Sequence, residues 1–263
     1  MKPKNKTKVG CFITVRTGST RLPQKAVLLI RRRSTIEHLI DRTKLVEGAD
    51  IIVLCTSTKP EDDILEEMAK RNKIKCFRGS ENDKLARWLG ATDKYKVDFF
   101  VTVDGDDLFC DPELIDLAIT QMKENPCDFQ EIPDTVEPFL ICGGSARCIS
   151  TRALRKVCKI KNTDDTEMMW VYFTRTGLFK TRYLKVDNPI FYNKNIRATL
   201  DYKEDLDFFA RVMDEFNTDV NNIPLRSIIQ LINKKPEIAR INFFRQQEFL
   251  DNQKKKIKLI LKK

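Results

Sequence analysis

A chain of 263 residues, 41% hydrophobic and 33% charged, can bury a large core as one globular domain, and no apolar run approaches the ~20 residues a membrane span needs. Its 48 Lys and Arg against 38 Asp and Glu give a net charge of +10, which suits an anionic partner such as a nucleotide, a phosphorylated metabolite or a nucleic acid. The single histidine, His38, leaves little for a zinc site or for Ser-His-Asp and Cys-His chemistry, and none of the eight cysteines forms a C-x-x-C pair.

In chain order, residues 1–8 read as a disordered basic tail rather than a nucleic-acid-binding arm. Residues 9–15 are apolar and β-rich, and they open into the loop R-T-G-S-T-R-L-P-Q-K at residues 16–25. That loop combines a glycine, hydroxyls and three cations, so it can wrap a polyphosphate through backbone N–H groups, hydroxyls and charge, although a solvated basic turn has the same composition. No Walker A string occurs. Ser34-x-x-Glu37 is a capping box that opens a helix to about Val46, with His38 on its face. Residues 50–56 read as a strand buried on both faces. Pro60 marks the next helix, residues 74–77 a short strand, and Ser80 the cap of a helix carrying Asp83 and Arg87. Residues 97–103 form a strand ending at Asp104, and Asp111-Pro112 starts a helix to about Glu124.

From Phe139 the pattern becomes irregular, and residues 139–195 read as an acceptor-side or dimerisation insertion with a Ser150-capped helix and a strand at 179–186. Residues 196–200 return as a strand ending at Asp201, followed by a helix to about Phe216 and two more helices. Residues 251–263 read as a basic C-terminal helix or tail. The alternation predicts an α/β fold, a mostly parallel, doubly wound sheet, with residues 9–250 as a single domain. Ligands in such sheets sit beyond the carboxyl ends of the strands. The 16–25 loop and Asp104-Gly105-Asp106-Asp107 both follow strand ends and can share one cleft. The aspartates offer oxygen ligands of the kind Mg²⁺ or Mn²⁺ takes, with Asp104 and Asp106 on the same side, or they form an Asp-rich turn. Asp201 is the natural partner of that cluster, or a helix N-cap; Asp205 and Asp207 read as solvated helix charges. The dispersed cysteines and the absence of a signal peptide point to free thiols in the cytoplasm.

R-x-x-S-T-R-L-P-x-K resembles the opening of the CMP-sugar-activating cytidylyltransferases, the acylneuraminate and 3-deoxy-manno-octulosonate enzymes, and especially the spore-coat-polysaccharide cytidylyltransferase-like branch. Four further segments follow in that branch's order: F-R-G-S-E-N-D-K-L-A-R from Phe77, V-T-V-D-G-D-D-L-F-C-D-P-E-L-I-D from Val101, R-A-T-L-D-Y-K-E-D-L from Arg197 and P-E-I-A-R-I-N from Pro236. The resemblance spans residues 9–242. It implies a Rossmann-like nucleotide-diphospho-sugar transferase (GT-A-like) fold, CTP as substrate, Mg²⁺ held by Asp106 and Asp201, and a homodimer. By the same resemblance Arg16 and Lys25 bind the triphosphate, Ser19 and Arg21 face the phosphates, and Gly79, Ser80, Asp83 and Arg87 border the base; Thr17, Gly18 and Asp104 complete the expected nucleotide-binding set.

The chain departs from that branch in the acceptor region, where G-x-x-x-E and E-H-V-T correspond to Gly143-Gly144-Ser145-Ala146-Arg147 and Glu167-Met168-Met169-Trp170. Gln24 also stands where the branch has a glycine. Arg147 and Glu167 are the acceptor-binding candidates. An arginine there favours an anionic acceptor such as a phosphate monoester, whereas an Arg147 facing solvent and a Met168 in the core would carry no such meaning. The expected reaction moves CMP from CTP to an anionic sugar-like or polyol acceptor with pyrophosphate release, for surface polysaccharide synthesis. Asp104-x-Asp106 also reads as the D-x-D of a metal-dependent glycosyltransferase with a nucleotide-sugar donor, and the net charge admits a non-catalytic anion- or nucleic-acid-binding module. Neither a nucleic acid nor a membrane is an expected partner.

Overall fold

The computed structural model describes residues 6–133, 140–141, 143–144, 146–218 and 223–262. β1 (Val9–Thr14) is buried along its whole length, sending Val9, Cys11 and Ile13 into one core and Phe12 into the other. A hairpin of β2 (Leu29–Ile30) and β3 (Arg33–Ser34) leads into α1 (Thr35–Thr43). Then come β4 (Ile51–Ser57), α2 (Asp63–Arg71), β5 (Lys75–Gly79), α3 (Lys84–Tyr95), β6 (Phe99–Asp104) and α4 (Pro112–Glu124). The second half holds β7 (Phe129–Glu131), β8 (Arg147–Ser150), α5 (Thr151–Ile160), α6 (Val171–Thr174) and β9 (Thr181–Tyr183). It closes with α7 (Lys203–Phe216), α8 (Leu225–Lys234), α9 (Pro236–Arg240) and α10 (Gln246–Lys255).

The strands form one seven-stranded sheet in the order β5-β4-β1-β6-β8-β7-β9. β5, β4, β1 and β6 run parallel; β8 is antiparallel to both neighbours, and β9 is parallel to β7. After β1 the chain moves outward to β4 and β5, then returns to place β6 on the other side of β1. The order therefore reverses between β1 and β6, and a crevice opens at their carboxyl ends. Helices cover both faces, so the apolar runs are buried on both sides. A Cβ on Gly10 would stand 2.6 Å from the Phe12 ring, which stacks on Phe100 at 4.5 Å, so glycine makes room for that pair.

The α/β, mostly parallel architecture is the one the alternation predicts. Three local readings are corrected. Ser80 does not cap α3: Asp83 does, accepting from the Ala86 amide at 3.0 Å, while Ser80 Oγ accepts from the Asp83 amide at 3.1 Å. Residues 196–200 do not form a strand, because Leu200 spends its backbone groups on the Asp106 carbonyl (2.9 Å) and the Lys25 ammonium (2.6 Å). The strand expected at 179–186 shrinks to β9. Phe139 and Ser145 lie outside the described residues.

The C-terminal end, read as a basic helix or tail, is helical through α10 as far as Lys255. Beyond α10 the chain runs back along α5: the Asn162 amide donates to the Ile260 carbonyl (2.9 Å), and the Lys262 amide donates to the Ile160 carbonyl (2.8 Å). His38 is buried and its Nε2 lies 3.0 Å from the Ile30 carbonyl, a packing role. Cys142 lies outside the described residues; the other seven cysteines are free, and burial pushes thiols such as Cys110 up, to about 12. Among the described residues no helix is long and apolar enough to cross a membrane.

The capping box of α1 gives a pH-dependent stability. Burial alone would raise the Glu37 carboxyl, but donors from Ser34, Asn72 and Arg71 hold it at about 2, below its ordinary 4.5. A depressed carboxyl stabilises fully above its unfolded value, and that stabilisation is lost as pH falls from about 4.5 toward 2. Replacing Glu37 by Gln is expected to destabilise the fold at neutral pH by at most about 3 kcal/mol and to flatten the loss of stability below pH 4.5, read by urea unfolding from pH 7 to 3.

Candidate active site

The 16–25 loop leaves β1 beside the β4–α2 turn and is pinned there. The Thr17 amide and hydroxyl both donate to Asp62 Oδ1, at 2.8 and 2.7 Å, while Asp62 Oδ2 accepts from Ser57 Oγ at 2.5 Å. Burial by itself would raise the Asp62 carboxyl, but these donors hold it below the ordinary range. The Thr17 side chain is therefore committed to the protein. Gly18 faces open space, and Ser19 Oγ makes only a 3.4 Å contact with the Leu22 amide. Arg16 Nη1 donates to the Glu81 carbonyl at 2.7 Å, and its Nη2 lies 3.8 Å from Glu167.

The far end of the loop reaches the carboxylates. Lys25 Nζ donates to Asp106 Oδ2 at 2.7 Å, to Asp201 Oδ1 at 3.0 Å and to the Leu200 carbonyl at 2.6 Å. Arg21 Nη2 forms an ion pair with the same Asp201 oxygen, and its guanidinium stacks over the Tyr202 ring. Burial alone would depress the Lys25 ammonium, but Asp106 and Asp201 raise it above its ordinary value. The carboxylates divide. Burial and neighbouring charges raise Asp106 despite Lys25, and raise Asp107 further; Lys84 and Arg147 lower Asp104, and Lys25, Arg21 and Arg197 lower Asp201, each against burial. A Cβ on Gly105 would meet Val15 Cβ at 2.6 Å, so glycine lets this turn lie against the end of β1.

Asp201 is held from behind. Arg197 Nη2 donates to Asp201 Oδ2 at 3.1 Å, and Arg197 grips Asp205 through Nε (2.9 Å) and Nη2 (3.0 Å). Asp205 Oδ2 accepts from the Asp201 and Tyr202 amides at 2.8 and 2.9 Å, and Asn242 Nδ2 donates to Asp205 Oδ1 and to the Arg197 carbonyl at 2.9 Å. Asp205 is thus fully buried in a network, which corrects its reading as a solvated charge; Asp207, paired with Lys203 at the surface, fits that reading. The N-cap of α7 is Tyr202, so Asp201 is free of that duty.

Residues 11–257 match the model of a family described as cytidylyltransferase. This chain belongs to the cytidylyltransferase family. It is similar to an uncharacterized protein, MJ1063, of Methanocaldococcus jannaschii, with 32% identity over 237 residues that cover 89% of this chain and 94% of that protein. Spore coat polysaccharide biosynthesis protein SpsF of Bacillus subtilis is 27% identical over 235 residues, covering 87% of this chain and 95% of its own length. Among solved structures, a cytidylyltransferase from Leptospira borgpetersenii superposes with a TM-score of 0.80 at 26% identity, covering 89% of this chain and 97% of that one.

In this cytidylyltransferase Arg21, Lys25, Asp106 and Asp201 meet in one ion-pair cluster, Asp104 ends β6 beside Lys84, and Arg16 is held at Glu81 and Glu167. Gly79 ends β5, and a Cβ there would stand 3.2 Å from the Arg87 side chain. Arg87 is buried, donates to the Ser80 (2.5 Å) and Glu81 (3.0 Å) carbonyls, and is pulled down to about 10 by burial with Arg16 nearby. Asp83 is occupied by its cap, by Thr166 Oγ1 (2.9 Å) and by Lys161 (2.5 Å), so it shapes the turn rather than facing the crevice. Arg147 is half-buried and its charge lowers the Asp104 carboxyl, and Met168 is also half-buried. Glu167 is paired with Lys256 at 2.8 Å, next to Arg16.

Sequence reasoning missed Asp62, Arg197 and Asp205 as structural partners of the site. It also passed over Lys84, 3.3 Å from Asp104, although Lys84 lies within the quoted N-D-K-L string. Among the described residues no group of three or more His, Cys, Asp or Glu side chains is placed to hold a metal ion. Asp106 and Asp201, both within 3.0 Å of one ammonium, nevertheless offer a cation two carboxylate oxygens, and Mg²⁺ characteristically completes such a pair with waters and phosphate oxygens.

The network behind Asp201 predicts a contrast. Asp205→Ala removes one of the two carboxylates that hold the buried Arg197 and takes the acceptor from the Asp201 and Tyr202 amides and Asn242, so it is expected to cost about 3–5 kcal/mol, whereas Asp207→Ala should stay within about 0.5 kcal/mol of wild type in urea unfolding.

Proposed function

We propose that this cytidylyltransferase moves CMP from CTP to an anionic, sugar-like or polyol acceptor with release of pyrophosphate, using Mg²⁺, or Mn²⁺ in its place, held by Asp106 and Asp201. The observation that carries this reading is the convergence of Arg21 and Lys25 with Asp106 and Asp201 beyond the ends of β1 and β6, on a loop that also carries Arg16. The three cations are the charge that receives a triphosphate, with the open backbone at Gly18 and the Ser19 hydroxyl as further donors. Thr17 contributes by fixing the loop to Asp62. Gly79 and Ser80, braced by Arg87, form the rim where the base is read, and Asp83 holds that rim in shape. When bound, the metal supplies charge neutralisation for the phosphates. Lys25, whose partners are those same carboxylates, is then available to the phosphates.

On the acceptor side, Arg147 beside Asp104 favours a phosphate monoester, giving a CDP-linked product, over a 3-deoxy-ulosonate giving a CMP-sugar. A phosphate oxygen is already ionised, so it attacks the α-phosphorus without a general base. That agrees with a chain whose one histidine is buried against Ile30. The relative named for spore coat polysaccharide biosynthesis supports a role in surface polysaccharide synthesis, and the free cysteines support a reducing cytoplasm.

Calorimetric titration of CTP, ATP, GTP and UTP with Mg²⁺ is expected to show CTP binding that is selective and weakened at least tenfold in Arg21→Ala. With a phosphorylated polyol or sugar acceptor, pyrophosphate release should fall by about two to three orders of magnitude in Asp106→Ala. Silence of folded, Mg²⁺-loaded protein across phosphate-monoester and ulosonate acceptors would reject the reaction.

A further inference from the structure

The C-terminal segment is tied into the phosphate loop through a single carboxylate. After α10, residues 256–262 lie along α5 and α6: Lys161 and Leu261 form an antiparallel bridge, Lys258 pairs with Asp165 at 2.7 Å, and the Ile260 amide contacts Tyr172 Oη at 3.3 Å. Within this strap Lys256 Nζ donates to Glu167 Oε1 at 2.8 Å. The other oxygen of Glu167 faces Arg16 Nη2 at 3.8 Å, while Arg16 Nη1 stays anchored on the Glu81 carbonyl. Glu167 therefore stands between a cation of the C-terminal strap and a cation of the loop, and Lys256, Lys84 and Arg16 together hold its carboxyl below the ordinary range against the effect of burial.

The geometry points to Glu167 and Lys256 as a latch on Arg16: Glu167 competes with a triphosphate for the Arg16 guanidinium, and Lys256 draws Glu167 away from that competition. The inference rests on the triphosphate reading of the loop given above, and it assigns Glu167 to the nucleotide half rather than to the acceptor. A carboxylate and a phosphate compete for the same guanidinium N–H groups. With Lys256 in place, one oxygen of Glu167 is satisfied by an ammonium and the 3.8 Å approach to Arg16 stays loose. Without Lys256 the carboxylate has Arg16 as its nearest partner, and a ligand must displace a tighter pair. Both members of the Lys256–Glu167 pair are about 40% exposed (39% and 42%), so the effect belongs to the range of partly solvated ion pairs. Lys256 and Glu167 are positioning residues in this scheme.

The test is a double-mutant cycle read by calorimetric titration of CTP and, separately, inorganic triphosphate, both with Mg²⁺, into the full chain. Lys256→Ala should weaken both ligands two- to fivefold, Glu167→Gln should tighten both, and the double variant should match Glu167→Gln alone, so that the Lys256 effect vanishes without Glu167. Lys256→Arg should restore wild-type affinity. Lys258→Ala, which loosens the strap at Asp165, should change nothing. Equal losses in Lys256→Ala and Lys258→Ala would mean that the strap acts through packing and would overturn the latch. So would a Lys256 effect that persists in Glu167→Gln. The full pattern with inorganic triphosphate but no CTP binding keeps the latch and discards the cytidine reading; CTP binding without the pattern does the reverse. No binding of either ligand discards both.

Discussion

One ammonium organises this site. Lys25 lies between Asp106 and Asp201, residues carried by three chain segments that meet only in the folded molecule. Four carboxylates, Asp104, Asp106, Asp107 and Asp201, crowd the crevice, and burial together with mutual repulsion raises two of them. Without the cations that face them the cluster could not stay ionised at low dielectric. The loop that follows β1 returns across the crevice, and this brings a second of its cations, Arg21, to Asp201, while Arg16 is held at the Glu81 carbonyl and Glu167.

The sheet makes that return possible. The reversal of strand order puts the ends of β1 and β6 side by side, and Gly105 lets the turn after β6 lie against Val15. From the opposite direction, the segment that ends at Asp201 bonds to the site itself, through the Leu200 amide and carbonyl. Behind this segment the Arg197–Asp205–Asn242 network presents Asp201 with a fixed orientation. This joins two motifs that are separate in the chain, R-A-T-L-D-Y-K-E-D-L and P-E-I-A-R-I-N, into one mechanical unit.

Charge is distributed unevenly around the crevice. At the Ser80–Glu81 turn, Arg87 and Arg16 donate to backbone carbonyls, which stiffens that rim. Beyond the end of β6, Lys84 pairs with Asp104, and the charges of Lys84 and Arg147 lower its carboxyl. The C-terminal strap adds Lys256 from outside the sheet altogether, so part of the +10 net charge is spent on shaping the site rather than on a diffuse basic surface.

Much of this was legible in the chain. The apolar runs, the Ser34–Glu37 box, the Asp111-Pro112 start and the strand–helix alternation announce a parallel α/β sheet because their causes are local: period, capping and proline geometry. The loop cations and Asp106 were legible as chemistry for the same reason. What stayed hidden depended on partners far away in sequence. Asp205 looks like any helix carboxylate until Arg197 and Asn242 close over it, Asp62 looks like a turn residue until Thr17 docks on it, and Ser80 looks like a cap until Asp83 takes that role. The lysine-rich end is largely exposed, and its backbone pairing with the end of α5 was not legible because composition carries no register. The amino-acid sequence determined the elements and the inventory of charges; the tertiary structure decided which charges are paired, because the energy of a buried ion pair depends on distance and desolvation, and neither is defined until the segments meet.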